Sequence, residues 1–292
     1  MRNATGVAVS LLLTTAGATA EERRAATPEE FAKLRIVYTV PGMDRVSVKR
    51  DLVYKTVGDT RLWMDVYSPA GTTSRLPAVI LVHGGPVPAG ASFKNTGVFK
   101  SYGELLAASG ITAVAFGHRF TEPAAARRAS EDVQDLVRHV RAQAEVLGID
   151  KDRLAVWAFS AGGPFLSPFL EEPPPYVRGL ISYYAILDLE ALPIEALPGV
   201  DAETRRELSP LRHLSSSTAA LPPMLIARAG RDNTAFNDSI DRFVQQALAK
   251  NVSLDFLNHP TGPHAFDILD DSPRSREIIA RTVQFLRTHL LD

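Results

Sequence analysis

Short apolar runs alternate with amphipathic stretches over most of this chain. The apolar runs lie at residues 78–82, 111–116, 154–159, 180–184, 224–229 and 252–257. A continuous apolar run of this length is typical of a strand buried on both faces, as in a parallel sheet. Two further strands are predicted at 51–57 and 61–67, separated by a glycine turn. The pattern therefore predicts eight strands.

Helical patterns lie between the apolar runs. The clearest begins at Ser130, with apolar residues recurring every three or four positions as far as Leu147. Ser130 is a residue type that caps helix N-termini, and Gly148 is one that ends helices. Weaker patterns cover 240–248 and 278–286. Because strands that alternate with helices need long crossovers, we predict an α/β fold with a mostly parallel eight-stranded sheet and helices on both faces.

The first twenty residues have the pattern of an export signal. Arg2 precedes an apolar run at 7–13, and Ala18-Thr19-Ala20 provides the small residues that a signal peptidase requires. The apolar run is too short to span a bilayer. We therefore expect a signal peptide at 1–20, cleaved near Ala20, and export to the periplasm or the cell exterior; a frayed helix or a misplaced start is the alternative.

Composition excludes several classes of protein. Lys and Arg total 32 against 33 for Asp and Glu, a net charge of −1 without a basic run, which argues against a nucleic-acid-binding protein. A hydrophobic content of 45% is too high for intrinsic disorder. The absence of cysteine removes disulfides, cysteine nucleophiles and thiolate metal sites. No run of apolar residues is long enough for stable membrane insertion.

The strongest chemical signal follows the strand at 154–159. There the segment from Ala158 to Gly163 matches small-x-Ser-x-Gly, the pattern of a nucleophile elbow, with Ala158 where glycine is usual. Small neighbours let the backbone turn sharply and raise the Ser160 oxygen above the sheet. A helix beginning at Ala161 would also point free N–H groups at the reaction centre. Serine is common at helix starts, so the match by itself leaves a structural role for Ser160 open.

A glycine loop, His83-Gly84-Gly85, follows the strand at 78–82. Glycines at this position would let backbone N–H groups approach a developing oxyanion with no side chain between them. An ordinary glycine turn is the alternative. His83 itself is expected to form structural hydrogen bonds, because it precedes the elbow strand on a separate loop.

Ser160, Asp232 and His264 occur in this order, each just past the C-terminal end of a predicted strand. Because the C-terminal ends of parallel strands meet at one edge of a sheet, the three side chains are predicted to converge there. His259 lies in the same loop as His264, but it stands directly before Pro260, which favours extended backbone. His264 follows a Gly-Pro turn that can bring the loop back over the edge, so it is the predicted base.

These motifs, with the segments 62–69, 148–156 and 262–267, resemble the α/β-hydrolase fold family, specifically its esterase-like and dienelactone-hydrolase-like members. The resemblance extends from about residue 50 to the C-terminus. It implies a catalytic domain at 51–292, preceded by an N-terminal extension at 21–50. Residues 116–120 depart from the Asn-Tyr-Arg segment that hormone-sensitive-lipase-like esterases often have.

The mechanism that the resemblance implies is acyl transfer from an ester to water. Ser160 would attack the ester carbonyl, His264 would accept the serine proton, and Asp232 would orient the imidazole. The expected oxyanion donors are the backbone N–H groups of Ala161 and of Gly84 or Gly85. The reaction requires no metal ion and no organic cofactor, and the expected partner is a small-molecule ester. The oligomeric state stays open.

Substrate size is predicted from the chain between the strands that end at 184 and begin at 224. These roughly forty residues suffice for a small cap of one or two helices. A small cap favours short acyl groups, from acetyl to butyryl. The alternatives are a lactone or dienelactone hydrolase, a prolyl-oligopeptidase-like peptidase, and an inactive α/β-hydrolase scaffold used for binding.

Overall fold

The computed structural model describes residues 28–88, 90–216 and 220–291. Its strands are β1 (Val46–Val57), β2 (Thr60–Pro69), β3 (Leu76–Val82), β4 (Thr112–Phe116), β5 (Ile149–Phe159), β6 (Val177–Tyr183), β7 (Met224–Ala229) and β8 (Leu254–His259). The helices are α1 (Pro28–Lys33), α2 (Gly97–Ala108), α3 (Ala126–Ala142), α4 (Ala144–Leu147), α5 (Ser167–Glu171), α6 (Ala202–Glu207), α7 (Pro210–Ser216), α8 (Thr234–Ala249), α9 (Phe266–Leu269) and α10 (Pro273–Leu290). Short 3-10 helices occur at Met43–Arg45, Phe93–Asn95, Pro123–Ala125, Ser160–Leu166 and Ile194–Ala196.

All the strands belong to one eight-stranded sheet in the order β1-β2-β4-β3-β5-β6-β7-β8. The strand β2 runs antiparallel to both β1 and β4, whereas the pairs from β4 through β3 to β8 are parallel. The predicted mostly parallel sheet is confirmed. Its parallel part brings the C-terminal ends of β3, β5, β6, β7 and β8 to one edge, where the loops that follow them lie side by side.

The core lies on both faces of the sheet, as the continuous apolar runs predict. Along β3, Ile80 and Val82 face a cluster that includes buried residues of α3 and α8. The intervening Val79 and Leu81 face a second cluster formed with α2 and α10. Side chains of a strand alternate between the faces, so each central strand contributes apolar residues to both clusters.

The start of α3 differs from the sequence prediction. The helix begins at Ala126, after a 3-10 turn that starts at Pro123, so Ser130 lies inside the helix and is buried. The extra turn buries Ala126 and Ala129, whose small side chains contribute little to a hydrophobic pattern. Gly148 does end a helix, in the left-handed conformation with φ 74°, but that helix is the separate α4.

The chain before the sheet packs along α2. The Ile36 N–H donates to Ser101 Oγ at 3.1 Å, and the Val37 N–H donates to the Asp267 carbonyl oxygen at 2.9 Å. A Cβ added to Gly97 would lie 2.4 Å from the Leu34 carbonyl oxygen, so the segment and the helix are in close contact. The strand β1 begins within the predicted extension 21–50. The predicted signal peptide lies outside the described residues.

The chain between β6 and β7 forms the predicted small cap, with the helices α6 and α7. The helix α7 packs between α5 and α8. Arg127 of α3 donates to Thr204 Oγ1 at 3.0 Å and pairs with Glu207 at 2.8 Å, which ties α6 to the body of the domain. Among the described residues, no helix combines the length and the apolar character that crossing a membrane requires.

A buried ion cluster joins β1, the loop after β4 and α3. Asp132 has no exposed surface and accepts hydrogen bonds from Arg119 Nε and Nη2, both at 2.8 Å, and from the Arg119 backbone N–H at 3.0 Å. Lys55 Nζ donates to the same carboxylate at 2.5 Å. Asp132 carries the contacts to Arg119 and shares Lys55 with Asp135, so the buried part of the cluster depends on Asp132.

We expect Asp132→Asn to lower the free energy of unfolding by about 3–5 kcal/mol, because it removes the buried carboxylate that accepts three hydrogen bonds from Arg119 and leaves Lys55 paired with Asp135 alone. The control is Asp135→Asn, since Asp135 is about one-third exposed and also pairs with Lys55. Its loss is expected to stay below about 1 kcal/mol. Urea unfolding followed by circular dichroism measures both changes, and equal losses would contradict the assignment.

Candidate active site

The serine of the predicted elbow stands at the end of β5 in the left-handed region, with φ 54°. Its carbonyl oxygen accepts a hydrogen bond from the Ile186 N–H at 3.1 Å. A Cβ added to Gly163 would lie 2.2 Å from the Ile186 carbonyl oxygen, so only glycine fits there. Ala158, which stands where the usual motif has glycine, lies on β5 and is fully buried in the core. The structure therefore has the sharp strand-to-helix turn with Ser160 at its apex.

The element after Ser160 is a 3-10 helix, Ser160–Leu166, and not the α-helix expected from Ala161. The first hydrogen bond of an α-helix here would run from the N–H of residue 164 to the Ser160 carbonyl. Pro164 has no N–H, and the carbonyl is already bonded to Ile186. The turn therefore continues as a 3-10 helix until α5 begins at Ser167.

The glycine loop after β3 lies directly against the elbow. A Cβ added to Gly84 would lie 2.9 Å from Ser160 Cβ and 3.0 Å from the Ala161 nitrogen. A Cβ added to Gly162 would lie 2.7 Å from the His83 carbonyl oxygen. The two loops thus approach each other more closely than side chains would allow. Two of the predicted oxyanion donors, Gly84 and Ala161, are neighbours, and Gly85 follows on the same loop.

The predicted acid and base are in contact. His264 Nδ1 lies 2.6 Å from Asp232 Oδ2, and the Asn233 N–H donates to Asp232 Oδ1 at 2.7 Å. Both side chains are largely covered, with 11% of His264 and 5% of Asp232 exposed. A carboxylate that accepts from Nδ1–H leaves Nε2 as the unprotonated ring nitrogen. The pair can therefore act as a base through His264 Nε2.

The other histidine of this loop, His259, is engaged elsewhere. It is buried, and its Nε2 lies 2.9 Å from Asp270 Oδ2 and 3.0 Å from Ser275 Oγ. A Cβ added to Gly262 would lie 2.5 Å from its ring, so the turn folds over it. His259 therefore connects the end of β8 to the start of α10, and it is His264 that contacts Asp232.

Comparison with known proteins gives the same architecture. Residues 64–167 match the family model BD-FAE, a family of α/β-hydrolase esterases. The chain superimposes on propionate-bound esterase 2 of Thermogutta terrifontis with a TM-score of 0.69 at 23% identity, over 86% of this chain and 98% of that chain. The chain has the α/β-hydrolase fold. For that esterase phosphorylated by paraoxon, the TM-score is 0.68 at 22% identity, over 89% and 100% of the two chains. No curated protein sequence matches.

Two stacked histidines support the glycine loop. The rings of His83 and His118 lie 3.7 Å apart and almost parallel. His83 Nδ1 is 2.6 Å from the Gly84 carbonyl oxygen, and His118 Nε2 is 3.1 Å from the His83 carbonyl oxygen. Burial lowers the pKa of both imidazoles, that of His118 to about 4. Both rings are therefore neutral at pH 7, and His83 has the structural role expected from the sequence.

Sequence reasoning missed two residues that shape the site. His118 lies in the segment 116–120, where the sequence shows only a departure from a related motif, and its Nε2 contacts the His83 carbonyl oxygen. Tyr184 lies one residue past β6, and its ring centroid is 4.7 Å from that of His264. Its position just beyond a strand end, like that of the predicted residues, is the signal that could have identified it.

A cavity of about 500 Å³ lies between the cap and the first turns of α8. Its walls are formed by Ala191, Pro193, Asn233, Thr234, Ala235, Asp238 and Arg242. Asn233 connects this cavity to the Asp232 loop, whereas Ser160 and His264 are not among its lining residues. The cavity is therefore beside the acid loop and not at the serine. Within the described part of the chain, no group of three or more His, Asp or Glu side chains could hold a metal ion.

The neutral His118 makes stability depend on pH. Its pKa falls from 6.5 to about 4 on folding, so the unfolded chain binds a proton first as the pH drops. Its contribution to stability is complete above pH 6.5 and is lost as the pH falls toward about 4. We expect His118→Gln to reduce the slope of unfolding free energy against pH by about 1.4 kcal/mol per pH unit within this range.

Urea unfolding at a series of pH values measures that slope. The control is Phe120→Leu, because Phe120 contacts the same ring and its replacement removes no titrating group. That variant should shift the whole curve downward without changing its slope. A wild-type slope in His118→Gln would show that His118 does not take up the proton on unfolding.

Proposed function

We propose that this protein is a serine hydrolase that cleaves carboxylic esters of short acyl groups through an acyl-enzyme. The observation that carries the proposal is the 2.6 Å contact between Asp232 and His264, at the same sheet edge as the left-handed turn at Ser160. The likeness to a protein described as an esterase, phosphorylated by paraoxon, supports a nucleophilic serine. The proposal includes export after cleavage near Ala20, which rests on the sequence alone.

The proposed reaction begins when Ser160 Oγ attacks the ester carbonyl and its proton passes to His264 Nε2. Asp232 holds the imidazole in the required tautomer and stabilises the imidazolium. The imidazolium then protonates the leaving alcohol as the tetrahedral intermediate collapses to the acyl-enzyme. A water molecule, deprotonated by the same histidine, then attacks the acyl-enzyme. As the second tetrahedral intermediate collapses and releases the acid, His264 returns that proton to Ser160 Oγ.

The oxyanion of each tetrahedral intermediate would accept hydrogen bonds from backbone N–H groups. The proposed donors are Ala161 on the elbow and Gly84 or Gly85 on the glycine loop. The close approach of Gly84 to Ser160 supports this assignment, because it leaves no room for a side chain between the two loops. Removing one donor of this kind typically lowers kcat by about 10²–10³.

The size of the acyl group is inferred from the packing of the cap and from the comparison esterase. Leu189, Leu192, Leu208 and Leu214 are all buried, so the cap packs onto the domain as a fixed wall. The comparison esterase has been seen with bound propionate and, in another form, with bound butyrate. We therefore propose acetyl to butyryl esters as the substrate class.

The triad has a direct kinetic test. Ser160→Ala, His264→Ala and Asp232→Asn should each lower kcat on p-nitrophenyl acetate by about 10³-fold or more, since each removes a group that acts only in the transition state. Wild-type protein should form a covalent paraoxon adduct on Ser160, detected by mass spectrometry.

Two controls separate these roles from those of neighbouring residues. Asp238→Asn, in α8, should keep most of the activity that Asp232→Asn loses. His259→Ala should mainly lower the melting temperature, because it breaks the buried contact with Asp270 and Ser275. If Asp238→Asn or His259→Ala lowers kcat more than Asp232→Asn or His264→Ala does, the role of acid or base would be reassigned to the control residue. A wild type that is inactive and forms no paraoxon adduct would favour a binding scaffold.

Acyl-chain preference is tested with p-nitrophenyl acetate, butyrate, octanoate, laurate and palmitate. We expect kcat/KM to be highest for acetate or butyrate and to fall for longer chains, because the packed cap limits the acyl site. Lactone and prolyl-peptide substrates complete the panel. A maximum at laurate or palmitate, or faster cleavage of the lactone or the peptide, would overturn the proposed substrate class.

A further inference from the structure

A buried carboxylate that the proposed reaction does not use lies behind the base. Asp267, in α9, has no exposed surface. Its Oδ2 accepts a hydrogen bond from the Tyr102 hydroxyl at 2.6 Å, and its Oδ1 accepts one from the Tyr184 hydroxyl at 2.7 Å. A buried carboxylate is retained only with such partners, since burial without them is strongly unfavourable.

Tyr184 connects this carboxylate to the base. Its ring centroid lies 4.7 Å from that of His264, at an interplanar angle of 59°. Its backbone is held in the left-handed region with φ 39°, and its N–H donates to the Ala227 carbonyl oxygen at 2.8 Å. Ala265 also has a positive φ of 58°, which turns the chain so that His264 and Asp267 contact the same tyrosine.

We propose that Asp267 and Tyr184 are positioning residues for His264, an inference that rests on the proposed hydrolase function. The carboxylate fixes the Tyr184 hydroxyl, and the tyrosine ring then limits the rotation of the imidazole that Asp232 holds from its other side. The negative charge of Asp267 also stabilises the imidazolium that forms when the serine proton is transferred.

Each carboxyl oxygen of Asp267 accepts a hydrogen bond from a tyrosine hydroxyl, which is the arrangement that an ionised carboxylate requires. The hydroxyl groups of Tyr102 and Tyr184 donate to it, and Tyr183 and His264 are its other titratable neighbours, while Asp232 is a charged neighbour of Tyr184. The Tyr183 hydroxyl is itself engaged by Thr282 at 2.6 Å. Burial raises the pKa of Asp267, and the hydrogen bonds from the two tyrosines oppose that shift. Burial also raises the pKa of those tyrosines well above the usual value, so they are neutral donors.

The two tyrosines provide a matched pair of variants. Each donates one hydrogen bond to Asp267, but Tyr184 contacts His264, whereas Tyr102 packs against Trp157 and Phe159. Loss of a buried hydroxyl contact should destabilise both variants to a similar extent. If Tyr184 positions the base, the Tyr184 variant should therefore have a lower kcat than the Tyr102 variant, although the two have similar melting temperatures.

The experiment compares Tyr184→Phe with Tyr102→Phe in the full chain on p-nitrophenyl acetate. Tyr184→Phe should lower kcat by about tenfold with KM within about twofold, because misplacing the base affects the transition state and not binding. Tyr102→Phe should keep kcat within about threefold of wild type. Thermal unfolding is measured alongside to confirm that both variants are folded at the assay temperature.

Asp267→Asn keeps the size of the side chain and removes its charge. Because the imidazolium loses a stabilising neighbour, the acidic limb of the kcat–pH profile should move to lower pH, together with a lower plateau. A purely structural role for Asp267 would lower stability without moving the limb. Equal kcat in the two tyrosine variants, or an unmoved acidic limb in Asp267→Asn, would overturn the positioning proposal.

These results are distinct from a failure of the proposed function. If the wild type neither hydrolyses p-nitrophenyl acetate nor forms a paraoxon adduct on Ser160, the hydrolase proposal itself is overturned, and this inference with it. If the wild type is active and labelled while the tyrosine variants match each other, only the positioning role is overturned.

Discussion

Steric exclusion at the turn after β5 determines how close the loops of this sheet edge can come. Ser160 is held at φ 54°, a conformation that an L-residue adopts only when its surroundings enforce it. Those surroundings are glycines: a Cβ on Gly84 would lie 2.9 Å from Ser160 Cβ, and one on Gly163 would lie 2.2 Å from the Ile186 carbonyl oxygen. The chain segments after β3, β5 and β6 therefore pack so closely around the serine turn that an added methyl group at Gly84 or Gly163 would clash.

Around that turn, the buried polar groups are divided into separate pairs. Asp232 bonds to His264, Asp270 bonds to His259, and Asp267 bonds to two tyrosines. Because each carboxylate has its own donors, two histidines and three carboxylates can share one edge without competing for partners. Of the two histidines, His264 is 11% exposed and His259 is 2% exposed, which supports the proposed role of His264 as the base and a structural role for His259.

Much of this arrangement could be predicted from local features. The apolar runs predict the strands because both faces of a parallel sheet are buried, and residues just past strand ends predict the serine, acid and base loops. The choice of His264 over His259 followed from Pro260 and the Gly-Pro turn, and the structure places His264 against Asp232. The prediction that Ser130 caps the helix was wrong, because the helix begins at Ala126 and the alanines before Ser130 contribute little to the hydrophobic periodicity.

The sequence by itself determined the order of strands and helices, since hydrophobic periodicity and turn residues act over short distances along the chain. Only the tertiary structure decided which buried polar groups are partners. His118 reaches the His83 carbonyl across 35 positions, and Tyr102 reaches Asp267 across 165. Such contacts depend on how strands and helices pack against one another. The hydrophobic pattern of one segment does not specify which distant segment packs against it, so it cannot predict these partners.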